Sequence, residues 1–157
     1  MVFSMYSIAV VLVSPFIGTV VSKVGFANLL AIGLVLMGAS IVPIAYLNEI
    51  EDDYWTLAVG ILLRALQGTA SAAINTTCFS LAANKYADRT EFVVGMMEAM
   101  SGCGLVFGLL GGSAIYEGMG YKAVFLLFGN FLPFLAIVSW LLFRRIEQRE
   151  LAEAEQR

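Results

Sequence analysis

Arg64, Gln67, Ser71, Asn75 and Cys78 recur at spacings of three and four residues. On a helix, at about 100° per residue, they fall along one face. They do so inside a long apolar run, and a guanidinium at membrane depth costs roughly 3 kcal/mol on insertion scales. Water, an acid or a ligand therefore has to face Arg64. Interhelical hydrogen bonds, worth under about 2 kcal/mol each, account for Gln67, Ser71 and Asn75 but not for the cation. The stripe points to a water-lined cavity.

Glu98 is the second ionisable group in apolar surroundings. With a rise of about 1.5 Å per residue and a hydrocarbon core of about 30 Å, Arg64 lies roughly 17 Å above the inner boundary and Glu98 roughly 10 Å. Two long side chains on facing helices bridge that difference, directly or through water. Three roles for Glu98 stay open: partner of Arg64, proton carrier, or a side chain that snorkels to the cytoplasmic headgroups.

Composition supplies the elements that hold these groups. Of 157 residues, 60% are hydrophobic and 13% charged, and the mean hydropathy is +0.86. A soluble domain carries about a quarter charged residues. Between the charge clusters lie five apolar stretches, 3–22, 26–47, 55–83, 92–115 and 121–143, each long enough to supply the roughly 20 residues that a spanning helix needs. A greasy soluble bundle would show a polar stripe on every helix, and Phe125 to Phe143 shows almost none. The expected fold is an all-α polytopic bundle over residues 1–143. A charged helical tail or linker, 144–157, lies at the inner surface.

With the 22–26 connection cytoplasmic, Lys23, Lys85, Arg89, Arg144, Arg145, Arg149 and Arg157 all fall inside. The outer loop 48–54 carries Glu49, Glu51, Asp52 and Asp53. This asymmetry obeys the positive-inside rule. The connections are short and force neighbouring helices antiparallel.

The spans at 55–83 and 92–115 carry the polar and small residues, so they are expected in the interior, while 26–47 and 121–143 are expected to face lipid. Gly104, Gly108, Gly111 and Gly112 form a doubled small-xxx-small pattern that lets another helix approach closely. Glycine-rich helices also bend more easily, which suits a helix that changes its packing.

Cys78 and Cys103 lie within spans, so no disulfide is expected. The chain has no histidine, the commonest metal ligand and general base, and neither cysteine has a ligand at metal spacing. No metal, cofactor or nucleic-acid partner is expected. The absence of His-Glu-x-x-His, of paired aspartates and of an activated nucleophile argues against an intramembrane enzyme.

At these residues the chain resembles the major facilitator superfamily, in its proton-coupled antiporter branch. Arg64-Ala-Leu-Gln67-Gly68 is similar to that family's fourth-helix motif. Gly104-Leu-Val-Phe-Gly108-Leu-Leu-Gly-Gly112 resembles its fifth-helix antiporter motif, with Leu109 where the family places a proline. Gly18-Thr-Val-Val-Ser22-Lys23-Val-Gly25 resembles the signature loop between its second and third helices, keeping the glycines and Lys23. Pro15-Phe-Ile-Gly18, and Ile115-Tyr-Glu-Gly-Met-Gly120 followed by Phe125, look most like the vesicular amine and polyamine transporters.

The resemblance maps the five spans onto family helices two to six. It leaves a first helix and a second six-helix bundle to be supplied by the same or another chain. It implies a transporter in the bilayer that exchanges protons for a small organic substrate, a cationic amine among the candidates, by alternating access. Arg64, Gln67, Ser71, Asn75 and Glu98 would lie on the substrate and proton path. Gly104, Gly108, Gly111, Gly112, Gly18, Lys23 and Gly25 would serve packing and gating. The alternative expectation is a truncated or regulatory fragment that does not itself transport and associates with a full-length partner.

Overall fold

In the computed structural model of the chain, residues 2–49 and 53–155 are described. Glu51 and Asp52 of the acidic loop and Arg157 of the tail lie outside them. The described residues form α1 (Val2–Val24), α2 (Phe26–Ile41) running on as a 3-10 segment (Val42–Glu49), and α3 (Asp53–Lys85). A 3-10 turn (Ala87–Arg89) leads into α4 (Thr90–Met119), and α5 is Tyr121–Glu155. Among the described residues, five helices are long and apolar enough to cross a membrane, and a helix pairs its backbone groups within itself where no water is present. Two of the connections are single glycines. Gly25 (φ 85°) separates α1 from α2 and Gly120 (φ 83°) separates α4 from α5, in a left-handed region that L side chains avoid.

α3 is the centre of the packing. α1 lies along one of its faces and α2 along another, and α5 packs on the far side of α2. Small residues make these approaches possible. A Cβ on Gly68 would collide with the backbone carbonyl of Tyr6 and stand 2.8 Å from Ala9 Cβ, so α1 and α3 touch nearly backbone to backbone. A Cβ on Gly33 would stand 2.9 Å from Ile74 Cγ1, and the adjoining Ala70, Ala72 and Ala73 of α3 are buried.

The α2–α5 crossing is close as well. A Cβ on Gly38 would lie 2.6 Å from Pro133 Cδ and 2.7 Å from the Gly129 carbonyl oxygen. Pro133 has no N–H to give to that carbonyl, four residues earlier, and Gly38 lets α2 lie directly against the oxygen so freed. Gly129 is close-packed in turn, its missing Cβ 2.7 Å from Val42 Cγ2.

One sequence expectation is corrected. The span at 26–47 was expected to face lipid, but α2 is wedged between α3 and α5, with Leu29, Leu30, Gly33, Gly38 and Ser40 buried. The glycine-rich span at 92–115 was expected inside; within this chain α4 buries no residue. Its Gly104, Gly108, Gly111 and Gly112 meet nothing within 4 Å. The physical reason is that small residues permit close packing without supplying it. The helices of this chain reach α4 only sparsely, and its small face stays open.

Candidate functional site

The α3 stripe splits into two linked parts. In the half of α3 nearer Asp53, Arg64 is half-buried and its Nη1 donates to Gln67 Oε1 at 3.0 Å. Gln67 itself is only 6% exposed. The spacing of three places the amide one turn along, where its carbonyl oxygen takes up part of the guanidinium's hydrogen-bonding demand.

Both side chains line a cavity of about 370 Å³ between four helices. Tyr6 of α1, Ile41 near the end of α2, and Phe125 and Phe128 of α5 form much of its remaining wall. The described lining residues include no carboxylate. The cavity therefore offers a fixed positive charge, an amide, a phenol and aromatic faces.

One turn further along α3, Ser71 Oγ accepts two hydrogen bonds, from Tyr6 Oη at 2.8 Å and from Asn75 Nδ2 at 3.3 Å. Ser71 is 8% exposed, while Asn75 is exposed. Tyr6 thus joins the two parts: its ring borders the Arg64 cavity and its hydroxyl ties α1 to the Ser71 turn of α3. The close approach at Gly68 sets this contact, since Tyr6 can reach Ser71 only if α1 lies against α3.

Tyr6 is a site residue that the sequence does not point to. A tyrosine facing a serine across two helices leaves no periodic signal on either one. Tyr6→Phe and Ser71→Ala are each expected to cost about 1 kcal/mol. Their double mutant should cost less than the sum, since both remove the same bond. Thermal unfolding of purified single and double variants checks this, and strict additivity would rule the bond out as a contributor.

The remaining sequence candidates are not brought to this cavity. Glu98 is exposed on α4 and is not among the described residues that line the cavity. Gly18 meets nothing within 4 Å, Lys23 is exposed, and Gly25 makes the α1–α2 turn. Cys78 is half-buried and Cys103 exposed.

Five membrane-length helices, four of them around a cavity that holds a half-buried arginine beside a buried glutamine, define a multi-pass integral membrane protein with a polar interior site. The sequence profile of the Major Facilitator Superfamily matches residues 1–157, and the chain belongs to that family. Among curated proteins, it is 31% identical over 139 residues to the human chromaffin granule amine transporter, covering 87% of this chain and 24% of the relative. It is 25% identical over 129 residues to the human MFS-type transporter SLC18B1, covering 82% and 28%. The multidrug resistance protein MdtG of Dickeya zeae is 29% identical over 150 residues, covering 94% and 35%. The chain thus spans only about a quarter to a third of the length of these relatives. No solved structure gives a significant match.

Proposed function

We propose that this chain forms part of the amino-terminal half of a secondary transporter that exchanges protons for a small organic substrate by alternating access. The observation that carries this reading is the placement of Arg64 and Gln67. They stand at membrane depth, on a cavity wall, at the positions of the family's fourth-helix motif. Relatives named for amine transport and for multidrug resistance support a cationic or broadly apolar organic substrate. Phe125, Phe128 and Tyr6 supply the aromatic surface such a molecule needs. The counter-charge for a cation has to come from outside the described cavity wall. Glu98 on the open α4, or an acid on a further helix, would provide it.

Reconstitution of the full-length protein in vesicles tests the proposal. An imposed pH gradient is expected to drive uptake of an organic amine, and Glu98→Gln is expected to weaken that coupling. Uptake that ignores the gradient in the unmutated protein would remove antiport. Uptake that responds equally in Glu98→Gln would remove only the role of Glu98.

A second reading rests on α4. Its open glycine face supports packing against helices of another chain, so that this chain would act as a regulatory fragment bound to a full-length transporter. Co-purification with such a transporter, lost on Gly108→Leu, separates the two readings.

A further inference from the structure

α2 and α5 are joined at both ends as well as at their glycine crossing. At the outer end the Lys122 ammonium lies 5.6 Å from the centre of the Tyr46 ring. At the other end, which charge asymmetry assigns to the cytoplasm, three side chains are organised in sequence. Asn28, in the first turn of α2, donates from Nδ2 to the Val24 carbonyl of α1 at 3.2 Å. It accepts at Oδ1 from the Trp140 indole of α5 at 3.0 Å. The carboxamide is held from both sides, so the indole is held too. One turn on, the Arg144 guanidinium lies over that indole, 4.3 Å from its centre.

This arrangement does more than anchor an aromatic residue at an interface. With its carbon over the ring, the guanidinium keeps N–H donors for other partners, and their planar fork matches two oxygens of a phosphate. The side chain is exposed, and Lys23 and Arg145 add positive charge at the same end. α5 leaves the apolar span at Arg145, which puts Arg144 at headgroup depth.

We propose that Arg144, Trp140 and Asn28 form a binding site for the phosphate of an anionic phospholipid at the α2–α5 junction. The guanidinium over the indole binds the phosphate, the indole sets its position, and Asn28 fixes the indole to the α1–α2 turn. Bound lipid therefore braces the joint between α2 and α5. The site depends on membrane placement and not on the transport reading, so either can fail without the other.

The chain has two tryptophans, so Trp55→Phe leaves Trp140 as the sole indole reporter. In bilayers mixing phosphatidylcholine with phosphatidylglycerol, one lipid at a time is brominated and quenching of Trp140 gives the relative occupancy. A preference for phosphatidylglycerol of about fivefold is expected, the usual contribution of one basic residue near a charged surface. Arg144→Gln should bring it close to one, while Arg89→Gln on the other inner loop should leave it unchanged.

Asn28→Ala retains every charge but releases the indole, and is expected to lower the preference to about twofold. Equal quenching by both lipids in the Trp55→Phe protein overturns the site, as does a preference that survives Arg144→Gln. A preference untouched by Asn28→Ala reduces the effect to general surface charge and also overturns it. Inorganic phosphate added to pure phosphatidylcholine bilayers is expected to leave Trp140 emission unaltered; a saturable shift would assign the pocket to free phosphate instead. Should Arg144→Gln fail to fold, the lipid comparison in the Trp55→Phe protein still decides.

Discussion

Gly68→Ala is expected to lower the unfolding midpoint of the chain by about 5–10 °C, from a single added methyl group. That methyl would run into the Tyr6 carbonyl oxygen and press on Ala9 Cβ at 2.8 Å. The obstacle is backbone of α1, which cannot rotate away as a flexible side chain would. Overpacking of this kind costs about 1–3 kcal/mol. Relief requires α1 to back off from α3, and the Tyr6–Ser71 hydrogen bond at 2.8 Å is then stretched or lost. The damage should therefore extend from packing into the wall of the Arg64 cavity.

Gly108→Ala is the natural control, because a Cβ there meets nothing within 4 Å. Removing a glycine from mid-helix favours the helix by about 0.5–1 kcal/mol, so this variant should match or slightly exceed the unmutated chain. Thermal unfolding of both variants in the same detergent reads the difference. Equal losses at the two positions would mean that the α1–α3 approach is not as close as described.

Arg64→Met should separate stability from function. The guanidinium costs roughly 3 kcal/mol at membrane depth, and methionine fills a similar length without charge. The purified variant is expected to unfold at the same temperature or higher. Uptake by the full-length protein is expected to fall at least tenfold, by the usual scale of about 1.4 kcal/mol per tenfold. Arg64→Lys should recover little. Lysine keeps the charge but lacks the planar fork that reaches Gln67 Oε1 from Nη1 at 3.0 Å. Transport that persists in Arg64→Met would leave Arg64 a structural residue. Joint loss of stability and transport would say the same.

The two results would test different layers of the molecule, and those layers were not equally readable. Arg64, Gln67, Ser71 and Asn75 declared themselves because polar groups in hydrocarbon are costly and their helical spacing puts them on one side. The five helices were readable for a related reason: a bilayer imposes length and apolar character on each helix separately. Single-helix properties leave single-helix patterns.

The glycines show where this stops. Gly104, Gly108, Gly111 and Gly112 give the stronger local motif, yet they face open space within the chain. Gly33, Gly38, Gly68 and Gly129 form no comparable run, yet helices meet at each of them. A glycine permits contact, and whether contact occurs depends on what a second helix presents at the same height. The same holds for α2. Its apolar surface satisfies lipid and protein alike, since both are hydrocarbon, so its sequence could not say that it would be wedged between α3 and α5.

The sequence alone determined five membrane-spanning helices, their charge asymmetry and a cation with polar company at membrane depth, because each follows from the cost of placing a given residue in a bilayer; the family showed in the motif that begins at Arg64. Only the tertiary structure decided that Tyr6 joins that cation's cavity, that Phe125 and Phe128 wall it, and that Asn28, Trp140 and Arg144 meet at one end. Those are agreements between side chains on different helices. No periodicity within one helix encodes them; they exist once backbone packing at Gly68 and Gly38 has fixed how near the helices lie.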